Sequence, residues 1–153
     1  GYGEAQIEKL LKAKKNGMFL LFDVDKFKHI NDTYGHSIGD EVLIQVADAL
    51  KQTFEQAGVC MRLGGDEFAV YAPEITEQMQ AETMIQAFFE RIRNIAIPQM
   101  EGDAISVSLG AVLCAPDREH VFEKVYQRAD ATMYTCKEVI GNSYDFYTGR
   151  NPA

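Results

Sequence analysis

Hydrophobic residues recur along this chain in two rhythms, and the switches between them predict its elements. Ile7, Leu10 and Leu11 fall at helical spacing within residues 5–15, and Asn16-Gly17 closes that segment. Residues 18–24 (MFLLFDV) form a short apolar run after the turn and read as a buried strand. Residues 26–34 read as a short helix or loop ending at Gly35. Ile38, Val42, Val46, Leu50 and Phe54 share one face of a long amphipathic helix over 38–54. Residues 59–63 and 68–71 read as two strands, with Gly64-Gly65-Asp66 as the hairpin signal between them. Ile85, Phe88, Phe89 and Ile92 give another helix over 82–97, followed by Pro98. Ile105, Val107 and Leu109 alternate with Ser106 and Ser108, which predicts a strand with one polar face. A last long helix carries Phe122, Val125, Ala129, Met133 and Cys136, with Asp117 as its candidate cap, and residues 144–147 read as a final strand.

The order α, β, α, α, β-hairpin, α, β, α, β predicts an α+β domain: a mainly antiparallel central sheet flanked by helices. No repeat, low-complexity tract or linker divides the 153 residues, so 1–153 reads as one domain. The abrupt start at Gly1-Tyr2-Gly3 suggests a fragment of a larger multidomain protein. A hydrophobic content of 46% with 25% charged residues excludes disorder. The formal net charge of −8 leaves no global basic footprint for nucleic acid or an anionic membrane. A phosphorylated ligand would then need local cations or a bound metal. Cys60, Cys114 and Cys136 are scattered and follow no metal-ligand spacing, as expected of reduced thiols in a cytoplasmic domain. No apolar run reaches membrane-spanning length, so no membrane contact by this domain is expected, although a parent protein can carry its own anchor.

Two acidic clusters carry the candidate chemistry. Asp23 and Asp25 end an otherwise apolar strand and share a face at that spacing. Asp66-Glu67 follows two glycines on the hairpin. Carboxylates gathered at neighbouring strand ends repel, and a hard divalent cation such as Mg²⁺ relieves the repulsion. Such an ion keeps few protein ligands and takes the rest from water and phosphate, which points to phosphoryl or nucleotidyl transfer. Acidic strand ends serving only solubility are the competing reading. Gly64 and Gly65 suit either a hairpin needing positive φ or a close approach of backbone to ligand. Asn31 and Asp40 suit either helix capping or recognition of guanine, whose N1 and N2 donors a carboxylate accepts. Lys26, Lys28 and Lys137 are candidate phosphate contacts among ordinary surface lysines, and His29, His36 and His120 form no metal spacing.

Residues 62–68 read RLGGDEF, which resembles the signature of the GGDEF family of diguanylate cyclases. Five specified residues recur by chance only once in roughly a few million positions, so the match is specific. Residues 22–40, FDVDKFKHINDTYGHSIGD, resemble that family's metal strand and guanine-binding segment. Residues 106–110 (SVSLG) and 129–134 (ADATMY) with Lys137 resemble its later strand and last helix, so the likeness covers nearly the whole chain. It implies a fold of the ferredoxin-like, polymerase-palm type, related to class III adenylyl cyclases. It implies Mg²⁺ (or Mn²⁺) held by Asp23, Asp66, Glu67 and the Val24 carbonyl, with Glu67 also helping to deprotonate the attacking 3′-hydroxyl. Asp66 and Glu67 are the implied catalytic pair. Guanine would be held by Asn31 and Asp40, and phosphates by Lys137 and the backbone around Lys26, Phe27 and Lys28, with Gly64 and Gly65 lining the substrate. Each domain would hold one GTP, and two copies would face each other about a two-fold axis to make the bacterial second messenger cyclic di-GMP. Sensory or phosphodiesterase domains are the implied partners in the full-length protein.

Three departures qualify the likeness. Gly141 stands where the family carries a basic residue four after the lysine. Glu55 and Gly58 stand where many members carry an Arg-x-x-Asp product-binding site. The family's usual N-terminal Asp-x-Leu-Thr-Gly-Leu stretch is missing, as expected of a fragment cut before Gly1. The alternative to an active cyclase is therefore a degenerate GGDEF domain that binds GTP and regulates an attached domain.

Overall fold

The computed structural model describes residues 2–12, 16–115 and 121–149. Helix α1 (Tyr2–Lys12) leads into strand β1 (Gly17–Val24), then α2 (Phe27–Tyr34) and α3 (His36–Phe54). The hairpin β2 (Val59–Gly64) and β3 (Glu67–Ala72) follows, then α4 (Gln78–Arg93), a short 3₁₀ helix (Pro98–Met100), β4 (Val107–Cys114), α5 (Phe122–Thr135) and β5 (Ser143–Phe146). The five strands lie in the order β2-β3-β1-β4-β5. All neighbours are antiparallel except β4 and β5, so the sheet is mostly antiparallel, as expected.

The unbroken apolar run of β1 is explained by its central place between β3 and β4. Met18, Leu20, Phe22 and Val24 enter a core shared with α3 and α4, while Phe19 and Leu21 enter a second core shared with α1 and α5. Helices thus cover both faces of the sheet. Phe22 stacks on Phe68 at 5.2 Å between centroids and meets Phe88 at 4.9 Å. Truncating Phe22 to alanine would cost about 3–5 kcal/mol. On the other face Gly110 lets α5 approach closely, because a Cβ there would lie 2.1 Å from the Ala129 carbonyl oxygen.

The elements differ from the sequence reading mainly at their ends. Helix α4 starts at Gln78, four residues early, because Gln78-Met79-Gln80 form helix without contributing a buried residue until Ala81. It ends at Arg93, and Pro98 opens the 3₁₀ turn instead of terminating α4. Helix α3 begins at His36, which leaves Asp40 beyond the first turn. The polar face expected of β4 is not solvated: Ser108 is fully buried and turned towards Asp25. The candidate cap Asp117, like His120, lies outside the described residues. Among the described residues, no helix is long and apolar enough to cross a membrane.

Candidate active site

The site grows from the end of β1. Antiparallel register sets Asp23 opposite Glu67 on β3 and opposite Ser108 on β4. Directly opposed residues share a face, and since Phe22 and Phe68 fill the α3/α4 core, Asp23 and Glu67 take the α5 side. Asp66 sits in the β2–β3 turn, whose tip is tied back to β1 by the Val24 N–H donating to the Asp66 carbonyl at 3.3 Å. Gly64 and Gly65 both have positive φ, of 151° and 52°, and the ladder bulges between Arg62 and Gly64. No atom lies within 4 Å of where a Cβ on either glycine would stand. The turn therefore needs glycine for its backbone, and its outer side is open to a ligand.

Beyond β1, Asp25 receives two serine hydroxyls, Ser106 on Oδ2 and Ser108 on Oδ1, each at 2.6 Å. Its own N–H donates to the Ser106 carbonyl at 2.9 Å. Lys137, just past the end of α5, places its ammonium on Asp23 and 3.4 Å from Asp25 Oδ1. Burial lowers the Lys137 pKa. Tyr126 of α5 donates to Glu67 Oε1 at 2.6 Å. Burial raises the Glu67 pKa, opposed by that hydrogen bond and reinforced by Asp130 and Asp66. Burial likewise raises Asp66, opposed by Arg62 and reinforced by Asp25.

Partly desolvated carboxylates of this kind favour a nearby cation. The Lys137 ammonium already occupies such a position on Asp23, and the donors at hand are all oxygen, which fits a hard divalent ion. Among the described residues no three metal-ligating side chains converge. An ion here would take a small number of carboxylates, with the Val24 carbonyl beside them, and complete its shell from water and phosphate.

The phosphate candidates lie next to these. Lys26 adopts left-handed backbone (φ 53°) ahead of α2, and no side chain caps that helix, which leaves the first-turn amides of Phe27 and Lys28 free of a side-chain cap. The Lys28 side chain instead points into solvent, paired with Asp32 at 3.3 Å. A cavity of about 790 Å³ opens here, lined by Asp25, Lys26, His29, Ser106, Lys137 and Gly141.

Asn31 and Asp40 do not cap helices: neither α2 nor α3 has a side-chain cap bond. Asn31 lies inside α2 with its Oδ1 buried and unpartnered. A Cβ on Gly39 would stand 1.8 Å from that oxygen, so glycine at 39 admits Asn31 beside Asp40. Asp40 borders a cleft of about 610 Å³ lined by Leu43, Ile44, Leu50 and Phe68. The three cysteines are free, and burial pushes Cys60 to about 11 and Cys114 to about 12, so both are unreactive thiols.

The roles of Tyr126 and of the Asp25–serine contacts are not visible in the sequence reading. The alternation of Ser106 and Ser108 carried the signal for the second. Tyr126 carried none, because it lies one residue off the inward stripe of α5.

The family model described as the diguanylate cyclase GGDEF domain matches residues 3–143. This chain belongs to the GGDEF domain family. The diguanylate cyclase DosC of Escherichia coli is 38% identical over 126 residues, 77% of this chain and 25% of that protein. The bifunctional diguanylate cyclase/cyclic di-GMP phosphodiesterase MucR of Pseudomonas aeruginosa is 33% identical over 144 residues, 94% of this chain and 21% of its own length. The crystal structure of the GGDEF domain of YfiN (TpbB) from Pseudomonas aeruginosa superposes with a TM-score of 0.82 at 25% identity, covering 96% of this chain and 94% of that one. The GGDEF chain thus spans about a quarter of the length of these curated relatives. Its position 58 has a packing reason to be glycine, since a Cβ there would lie 1.9 Å from the Tyr71 carbonyl oxygen.

Proposed function

We propose that this GGDEF domain is a diguanylate cyclase module that condenses two GTP molecules into cyclic di-GMP, using Mg²⁺ or Mn²⁺, across a two-fold pairing of two copies. The observation that carries this reading is the in-register pair Asp23 and Glu67 with Asp66 at the adjoining turn, a desolvated carboxylate patch that already draws a cation. Asp40 accepts from guanine N1 and N2, and Asn31 meets the base with its amide. Lys137 and the first-turn amides of α2 hold the phosphates, as donors at a helix N-terminus are suited to do. Glu67 takes the proton of the 3′-hydroxyl, and burial, by raising its pKa above the ordinary glutamate value, makes it a stronger base. The 3′-oxygen forms a bond to the α-phosphorus of the other GTP and pyrophosphate leaves. Repeating this in the opposite sense closes the ring. Asp23 and Asp66 would hold the divalent ion, which when bound would supply charge stabilisation on the phosphates and ease loss of the hydroxyl proton. Nucleophile and phosphorus come from different sites, so a second copy is required. GTP and free thiols fit a cytoplasmic domain, and sensory or phosphodiesterase partners fit the larger size of the relatives.

Gly141 favours a second reading, GTP binding with regulation of a neighbour. Its φ of 88° is a glycine conformation, and position 141 carries no basic side chain. The deciding experiment fuses the chain to a dimerising coiled coil and follows GTP with Mg²⁺ by chromatography. Cyclic di-GMP production supports the cyclase, whereas GTP binding without product assigns the regulatory role. Equal GTP affinity with and without EDTA overturns the metal assignment.

A further inference from the structure

We propose that Asp25 is a positioning residue that holds the Lys137 ammonium at the mouth of the phosphate cavity. The proposal rests on the cyclase reading above. Asp25 differs from Asp23 in what it touches. Both of its carboxylate oxygens accept a serine hydroxyl at 2.6 Å, and its N–H is tied to the Ser106 carbonyl. Ser108 is fully buried, so its hydroxyl has no water to turn to and locks the carboxylate in one orientation. In that orientation Oδ1 faces Lys137 at 3.4 Å. Lysine is a point charge on a flexible stem, and fixing it needs an acceptor that is itself fixed. Ser106, Lys137 and Asp25 all line the same cavity of about 790 Å³. A triphosphate entering it meets an ammonium already held between Asp23 and Asp25. Oδ1 accepts from Ser108 and faces Lys137 together, and Asp25 is thereby assigned to the lysine and not to the metal shell.

A double-mutant cycle tests this on the 153-residue chain by calorimetric titration of GTP with Mg²⁺. Asp25→Asn and Lys137→Met should each weaken binding about tenfold, as loss of a charge-assisted contact does. The double variant should bind no more weakly than Lys137→Met alone, because Asp25 acts through the lysine. Ser108→Ala, which leaves every charge in place, should give a smaller loss that also vanishes in the Lys137→Met background. Additive losses in these cycles would overturn the proposal by assigning Asp25 an independent or merely structural role. Electron paramagnetic titration with Mn²⁺ alone gives the second readout. Asp23→Asn should lose the ion far more than Asp25→Asn does, and equal losses would make Asp25 a metal ligand and sink the idea. Failure of the unmutated chain to bind GTP at all would instead bring down the functional reading beneath it.

Discussion

At the acidic end of β1, Asp25, Glu67 and Lys137 all find side-chain partners within the protein. At the elbow between α2 and α3, Asn31 keeps a buried amide oxygen with none. The first region is organised in advance by strand register, two serine hydroxyls and a tyrosine. The second leaves that oxygen without a protein partner, packed against Gly39. The difference separates chemistry from recognition. Charge placement at the first region is built into the protein's own contacts, while the second holds a polar atom that the protein itself does not pair.

The largest expected effect tests the organised end. Glu67→Gln should lower cyclic di-GMP synthesis by roughly 10²–10⁴-fold, the usual range for losing a positioned base. The fold should survive, because the glutamine carbonyl can still accept from Tyr126, and circular dichroism checks that. Near-normal turnover by the folded variant would reduce this carboxylate patch to scaffolding.

A smaller effect is expected at the elbow. Gly39→Ala puts a methyl 1.8 Å from the Asn31 oxygen and must drive that side chain out. Preference for GTP over ATP should then fall about tenfold, in line with the loss of one buried hydrogen bond. Asn31→Ala should reproduce the fall. Competition binding measures both, and undiminished preference would remove the elbow from base recognition.

How far the sequence revealed this contrast depends on the physics of each part. Period-2 and period-3.6 patterning made the strands and helices readable, and the glycine pair marked the hairpin. Once Phe22 and Phe68 are assigned inward, Asp23 and Glu67 must share the opposite face. The contacts that set the site were harder to read. Whether Ser106 and Ser108 face water or a carboxylate depends on β4 lying beside β1, a long-range pairing. The capping alternative for Asp40 rested on a helix starting at residue 38, and it failed when α3 was found to begin at His36. The Tyr126 contact depends on how α5 is rotated against the sheet, which Gly110 permits through its close approach to Ala129.

The smallest effect concerns stability and pH. Burial raises the pKa of Asp66 above its ordinary 3.8 and that of Glu67 above 4.5. In the unfolded chain both lose their protons at lower pH than in the folded one. Their contribution to stability is therefore complete below the unfolded values and is lost as pH rises through the raised folded values. At neutral pH the protein without metal carries ionised, partly desolvated carboxylates at a cost. Asp66→Asn should remove part of that cost and raise the melting temperature at pH 7 by about 1–2 °C, a small figure because solvent screens a half-buried group. The gain should vanish near pH 4 and below, where Asp66 itself is protonated. Mg²⁺ should raise the melting temperature of the unmutated chain at pH 7 and leave the variant nearly unmoved. Asn31→Ala at the elbow should shift stability by the same amount at both pH values, since no proton is involved. If Asp66→Asn is instead less stable at pH 7 and unchanged at pH 4, the Asp66 carboxylate is already satisfied by the protein, and the acidic end has no cost left for a metal to relieve.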